Sequence, residues 1–95
     1  MTLKKIDENM VKNDWKSKGF SCDVWIDSPG QEWIDYIHDV DELLMLIDGI
    51  MELKIGNQIF NPEVGQEILI PKGSKHSVKN IGSTTNRWLY GYKMI

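Results

Sequence analysis

From Phe20 to the C-terminus the chain is a succession of short β-branched and aromatic runs, each closed by a turn signal. "FSCDVWI" ends at Ser28-Pro29-Gly30, "EWIDYIH" at the acidic cluster Asp39 to Asp41, and "ELLMLI" at Asp48-Gly49. "IMELKI" ends at Gly56-Asn57, "QIF" at Asn61-Pro62, "EILI" at Pro71-Lys72-Gly73 and "HSVKNI" at Gly82-Ser83, and "RWLYGYKM" closes the series. Strands this short and this regularly spaced predict an all-β sandwich or barrel. The first 18 residues are polar and lack a clean period, which predicts an N-terminal arm carrying one helical turn or an added edge strand. Residues 19–95 then form a single barrel domain.

A chain of 95 residues makes one small domain with a thin core. Such domains are commonly reinforced by disulfides, a metal or a partner subunit. Cys22 is the only cysteine, so an intrachain disulfide is excluded and a metal or a partner is left. The net charge of −3, with Lys and Arg scattered, carries no nucleic-acid footprint. No apolar run approaches the ~20 residues that span a bilayer, and the N-terminus has no apolar signal region. A soluble cytoplasmic protein is the default expectation.

Asp48-Gly49 predicts a two-residue type I′ hairpin, with Ile47 opposite Ile50 and Leu46 opposite Met51. Glu42, Leu44, Leu46, Met51, Leu53 and Ile55 then share one face, while Leu43, Met45, Ile47 and Ile50 share the other with Glu52 and Lys54. One face should line the core. The other should pack on a second layer or on a second copy of the chain, and a homodimer is expected. Glu42 is a carboxylate at the end of an apolar face, which calls for a partner or a metal. On the preceding strand, burying Ile34 points Tyr36 and His38 inward as well, and His38 then converges with Glu42 across the Asp39-Val40-Asp41 turn. Cys22 shares a strand face with Phe20 and Val24, which points it into the barrel. Trp25, Trp33 and Trp88 read as packing or interface residues, not as platforms for a ligand.

These residues carry a resemblance to the cupin superfamily over about Phe20 to Tyr92. Gly65, Pro71, Gly73, His76 and Asn80 match G-x5-P-x-G-x2-H-x3-N without a gap. Five fixed positions recur by chance about once in three million starts. Gly30, His38, Glu42 and Gly49 match G-x5-H-x-H-x3-E-x6-G, with Tyr36 standing where the first histidine would be. The resemblance implies a double-stranded β-helix, or jelly-roll, barrel. It also implies that His38, Glu42 and His76 hold a divalent metal (Fe, Mn, Ni, Co or Zn) at the barrel mouth, with coordination positions left open. Tyr36, in the vacant slot, is then the candidate catalytic residue: a phenol that orients a substrate or serves as an acid, a phenolate ligand, or an aromatic filling the lumen. The fold alone leaves the activity open. A small oxygenase or isomerase, a non-catalytic binding or sensor module, and a scaffold with a vestigial pocket are the competing expectations. Each of the first two takes a small-molecule ligand and no nucleic acid.

Overall fold

A computed structural model describes residues 5–94. Its strands are β1 (Asp23–Asp27), β2 (Glu32–Tyr36), β3 (Glu42–Asp48), β4 (Met51–Ile55), β5 (Gln58–Phe60), β6 (Glu67–Ile70), β7 (His76–Asn80) and β8 (Asn86–Tyr92). One helix, α1 (Glu8–Ser17), precedes them. Every strand falls on one of the predicted runs to within one residue.

The antiparallel pairs are nested: β1 lies on β8, β2 on β7, β3 on β6 and β4 on β5. The chain is therefore one long ribbon folded at β4–β5 and wound on itself. Contacts of β3 with β8 and of β4 with β7 complete two four-stranded sheets, ordered β1-β8-β3-β6 and β2-β7-β4-β5. This is the jelly-roll arrangement. Leu44, Leu46, Met51, Leu53, Ile70, Val78 and Trp88 fill the space between the sheets.

The predicted β3–β4 hairpin is corrected. β3 and β4 lie in different sheets and are not paired. Asp48-Gly49 is a corner at which the strand crosses from one sheet to the other. The face assignment survives because both strands keep their alternation through the corner. Asn86, fully buried, clamps it from β8: the Ile50 amide donates to Asn86 Oδ1 and Asn86 Nδ2 donates to the Ile50 carbonyl, both at 2.9 Å. Gly49 has φ +108°, and a Cβ there would lie 1.8 Å from Asn86 Oδ1. Gly49→Ala is expected to cost about 2 kcal/mol in urea unfolding, from backbone strain and a displaced clamp.

The arm is also corrected. Residues 8–17 form a ten-residue helix, not a single turn or an edge strand; residues 1–4 of the predicted arm lie outside the described residues. Asp7 caps the helix, its Oδ1 accepting from the amides of Asn9 and Met10. Val11 and Trp15, four apart, share the buried side. They cover Leu43, Met45 and Leu89 on the outer face of the first sheet, with Cys22 and Ile47 at the margin. This helix is the second layer predicted for that face. Trp15 is fully buried and its indole donates to Glu67 at 2.7 Å. Arg87 makes a bidentate pair with Glu8, Nε donating to Oε2 and Nη2 to Oε1. Cys22 thus lies under the helix and not in the lumen, and Val24 on the same strand is exposed.

β2 departs from simple alternation. Its register with β7 shifts between Trp33 and Tyr36, and Asp35 takes φ +58°, its amide donating to Ser77 Oγ at 2.9 Å. This bulge breaks the predicted alternation: Ile34, expected inside, is exposed, and Trp33 faces the cavity together with Tyr36 and His38, which point inward as expected.

Candidate metal and ligand site

Two directly opposed cross-strand pairs meet at one end of the barrel. On the first sheet, Glu42 opens β3 opposite Tyr92 at the end of β8. On the second, His76 opens β7 opposite Tyr36 at the end of β2. His38 sits in the link between β2 and β3, placed between the two pairs. Its carbonyl accepts from the Gly73 amide at 2.9 Å, and Asp41 Oδ1 accepts from the Lys72 amide at 2.8 Å. The Pro71-Lys72-Gly73 turn of one motif is thereby bonded to the His38–Glu42 segment of the other. That pairing explains how residues more than thirty positions apart in sequence converge.

Glu42 Oε1 lies 3.3 Å from His38 Nε2 and 3.3 Å from His76 Nε2. Neither ring nitrogen approaches with hydrogen-bond geometry, so Oε1 is buried without a hydrogen-bond partner among the described residues. Such an orphaned acceptor is costly. Donor atoms around a first-row metal at ordinary bond lengths sit about 3 Å apart, and one donor atom from each of His38, Glu42 and His76 lies within 4.8 Å of the others. His76 Nδ1 is 3.1 Å from the Ser74 carbonyl, which can only accept. Nδ1 therefore carries the proton, and a neutral His76 turns the lone pair of Nε2 toward Glu42. The orphaned oxygen, the donor spacing and the tautomer all fit a divalent metal. Burial works against the His76 imidazolium, but the adjacent Glu42 carboxylate and the Ser74 carbonyl hold its pKa above the ordinary value.

Tyr36 lines the cavity, its ring nearly parallel to that of His38 with centroids 6.3 Å apart, and it is partly exposed. The phenol that touches the three-residue group is a different one. Tyr92 Oη lies 3.4 Å from His38 Nε2. Burial and the Glu42 carboxylate push the Tyr92 pKa up to about 12, so its phenol keeps its proton at neutral pH. Sequence reasoning missed Tyr92, although strand alternation places Trp88, Tyr90 and Tyr92 on one face of β8.

Behind this group the barrel holds a cavity of about 190 Å³. Drug-sized pockets start at roughly 300 Å³, so this one suits a compact ligand. Trp25, Trp33, Trp88 and Tyr90 form much of its wall. The expectation that these tryptophans only pack is therefore incomplete. Their three indole N–H groups converge on Asp27: Trp25 and Trp33 donate to Oδ1 at 2.8 Å, and Trp88 donates to Oδ2 at 2.9 Å. Asp27 is fully buried. Asn80, also buried, donates to the Asp27 and Thr84 carbonyls and accepts from the Gly82 amide, so its bonds are structural.

A jelly-roll barrel whose two motif segments meet at its mouth is the form of a cupin domain. The sequence profile of the cupin domain matches residues 24–92, and the chain belongs to this family. No curated protein matches the chain. Among solved structures it is similar to a protein of unknown function from Streptococcus pyogenes, at 19% identity and TM-score 0.72, covering 81% of this chain and 66% of that one. A cupin domain from Schizosaccharomyces pombe gives 20% identity and TM-score 0.74, covering 81% of this chain and 57% of that one. An oxalate oxidase in complex with the substrate analogue glycolate gives 22% identity and TM-score 0.71, covering 82% and 43%. At these identities the likeness concerns the fold. The chain spans less than two thirds of the length of each of these proteins. Among the described residues, no helix is long and apolar enough to cross a membrane.

Proposed function

We propose that this cupin is a small metal-dependent enzyme, an oxygenase or isomerase, whose divalent ion is held by His38, Glu42 and His76. The observation that carries this reading is the buried Glu42 Oε1, which has no hydrogen-bond partner among the described residues and has an imidazole Nε2 at 3.3 Å on each side. Two imidazoles and one carboxylate suit Fe, Mn, Ni, Co or Zn. Such an ion, when bound, supplies a Lewis acid with open positions for a ligand.

The remaining groups act on that ligand. The cavity behind the metal group admits a compact molecule, and its walls are largely aromatic. Tyr92 retains its proton and offers a hydrogen bond beside His38. Tyr36, on the partly exposed side, orients the ligand through its phenol.

Cobalt(II) substitution tests this reading, because the visible spectrum of the ion reports its coordination. Addition of a small chelating acid is expected to change the spectrum of the cobalt-loaded protein. An unchanged spectrum across a panel of small acids, thiols and diols would mean the site offers no open position. Metal affinity is also expected to weaken in acid, because His76 must be neutral to bind and its pKa is raised above the ordinary imidazole value. Metal titrations at a series of pH values check this directly.

A further inference from the structure

The metal reading leaves the tryptophan wall and its buried acid unused. We propose that Trp25, Trp33 and Tyr90, held from behind by Asp27, form a subsite for a small alkylated ammonium group.

Three observations carry this. First, Trp25 stands at 76° to Trp33 with ring centroids 5.4 Å apart, and at 75° to Tyr90 with centroids 6.3 Å apart. Trp25 thus stands nearly perpendicular to both neighbours, and all three rings line the cavity. The faces of tryptophan and tyrosine attract cations through the ring quadrupole, and indole does so most strongly. Quaternary ammonium groups, which cannot donate hydrogen bonds, are held this way.

Second, Asp27 accepts three indole N–H bonds and makes no ion pair among the described residues. An acceptor filled only by donors is in the role of an ionised carboxylate. Charge-assisted bonds of this kind draw positive character to the N–H edge and leave the ring faces more negative. The same bonds hold the rings in fixed orientations, so little rotamer freedom is lost on binding.

Third, among the described residues no lysine or arginine lines the cavity, and Glu42 is a further carboxylate there. The protein's own charges in and around the cavity thus favour a cation over a bare anion. Joined to the metal reading, on which this sentence alone rests, the ligand is a small zwitterion: oxygen donors toward His38, Glu42 and His76, and an alkylammonium against the indoles.

Choline and its uncharged carbon isostere, 3,3-dimethyl-1-butanol, test the subsite. Each is titrated by calorimetry into chelator-treated full-length protein, so the outcome does not depend on any metal. Choline is expected to saturate and to bind about ten-fold more tightly than the isostere. Trp25→Leu removes the ring that neighbours both others, at a partly exposed position, and is expected to abolish that preference. Equal or weaker binding of choline would overturn the proposal by marking the wall as a simple apolar slot. So would the absence of saturable binding by either probe, or a Trp25→Leu protein that keeps the preference. If Trp25→Leu does not fold, the comparison on the unmodified chain decides. Failure of metal binding would leave this result standing, and a failed choline titration would leave the metal site standing.

Discussion

Asp27→Ala is expected to lower the unfolding free energy by about 3–6 kcal/mol, from three indole N–H groups left without an acceptor at about 1–2 kcal/mol each. For a domain this size that lowers Tm by more than about 12 °C. Asp27 is fully buried, and its carboxylate joins β1 to β2 through Trp33 and to β8 through Trp88, so it ties the two sheets together. Asp27→Asn discriminates between lost charge and lost acceptors. An asparagine oxygen at Oδ1 still accepts from Trp25 and Trp33, but the amide nitrogen then faces the Trp88 N–H as donor against donor. An intermediate loss is expected. Thermal melts followed by near-ultraviolet circular dichroism, which reports the tryptophan environments, check both variants. An Asp27→Ala protein within about 1 kcal/mol of the natural chain would mean that water replaces the carboxylate and that Asp27 does not organise the wall.

Glu42→Gln is expected to move stability and metal affinity in opposite directions. In the metal-free protein Glu42 is only 4% exposed and its Oε1 has no hydrogen-bond partner among the described residues. Removing the buried charge is expected to stabilise the metal-free fold by about 1–2 kcal/mol. The same change deletes an anionic ligand, and metal affinity should fall by more than about 100-fold, since loss of supporting residues alone costs 10–100-fold. A residue kept at the expense of stability is the pattern expected of a functional site. Urea unfolding of chelator-treated protein and metal titration of the same sample measure the two effects. A Glu42→Gln protein that is less stable without metal would show that Glu42 is a structural partner of the two histidines.

Much of the fold was legible because the sequence is locally consistent. Each of the eight strands has a β-rich run, and each of the first seven has a turn signal at its end. His38, Glu42 and His76 were legible as a group through motif spacing, and the structure brings them together. What local reading misses depends on partners. Asp48-Gly49 has the composition of a hairpin turn, yet Asn86, thirty-six residues downstream of Ile50, makes it a corner. The Ile34–Asp35 bulge is set by pairing with Ser77 on β7, so alternation alone placed Tyr36 correctly but turned Ile34 inward and Trp33 away. The helix escaped notice because its apolar side is only Val11 and Trp15, one turn apart. The role of Asp27 was invisible for the same reason: its three donors come from β1, β2 and β8, and nothing in "DVWIDSPG" names the other two strands.

The central claim is that His38, Glu42 and His76 hold a divalent metal. Elemental analysis of protein purified without chelator tests it most directly, with His76→Ala in parallel. About one equivalent of a first-row divalent metal per chain is expected in the natural protein, and almost none in His76→Ala. A natural chain free of metal, or a His76→Ala protein with unchanged metal content, would contradict the account.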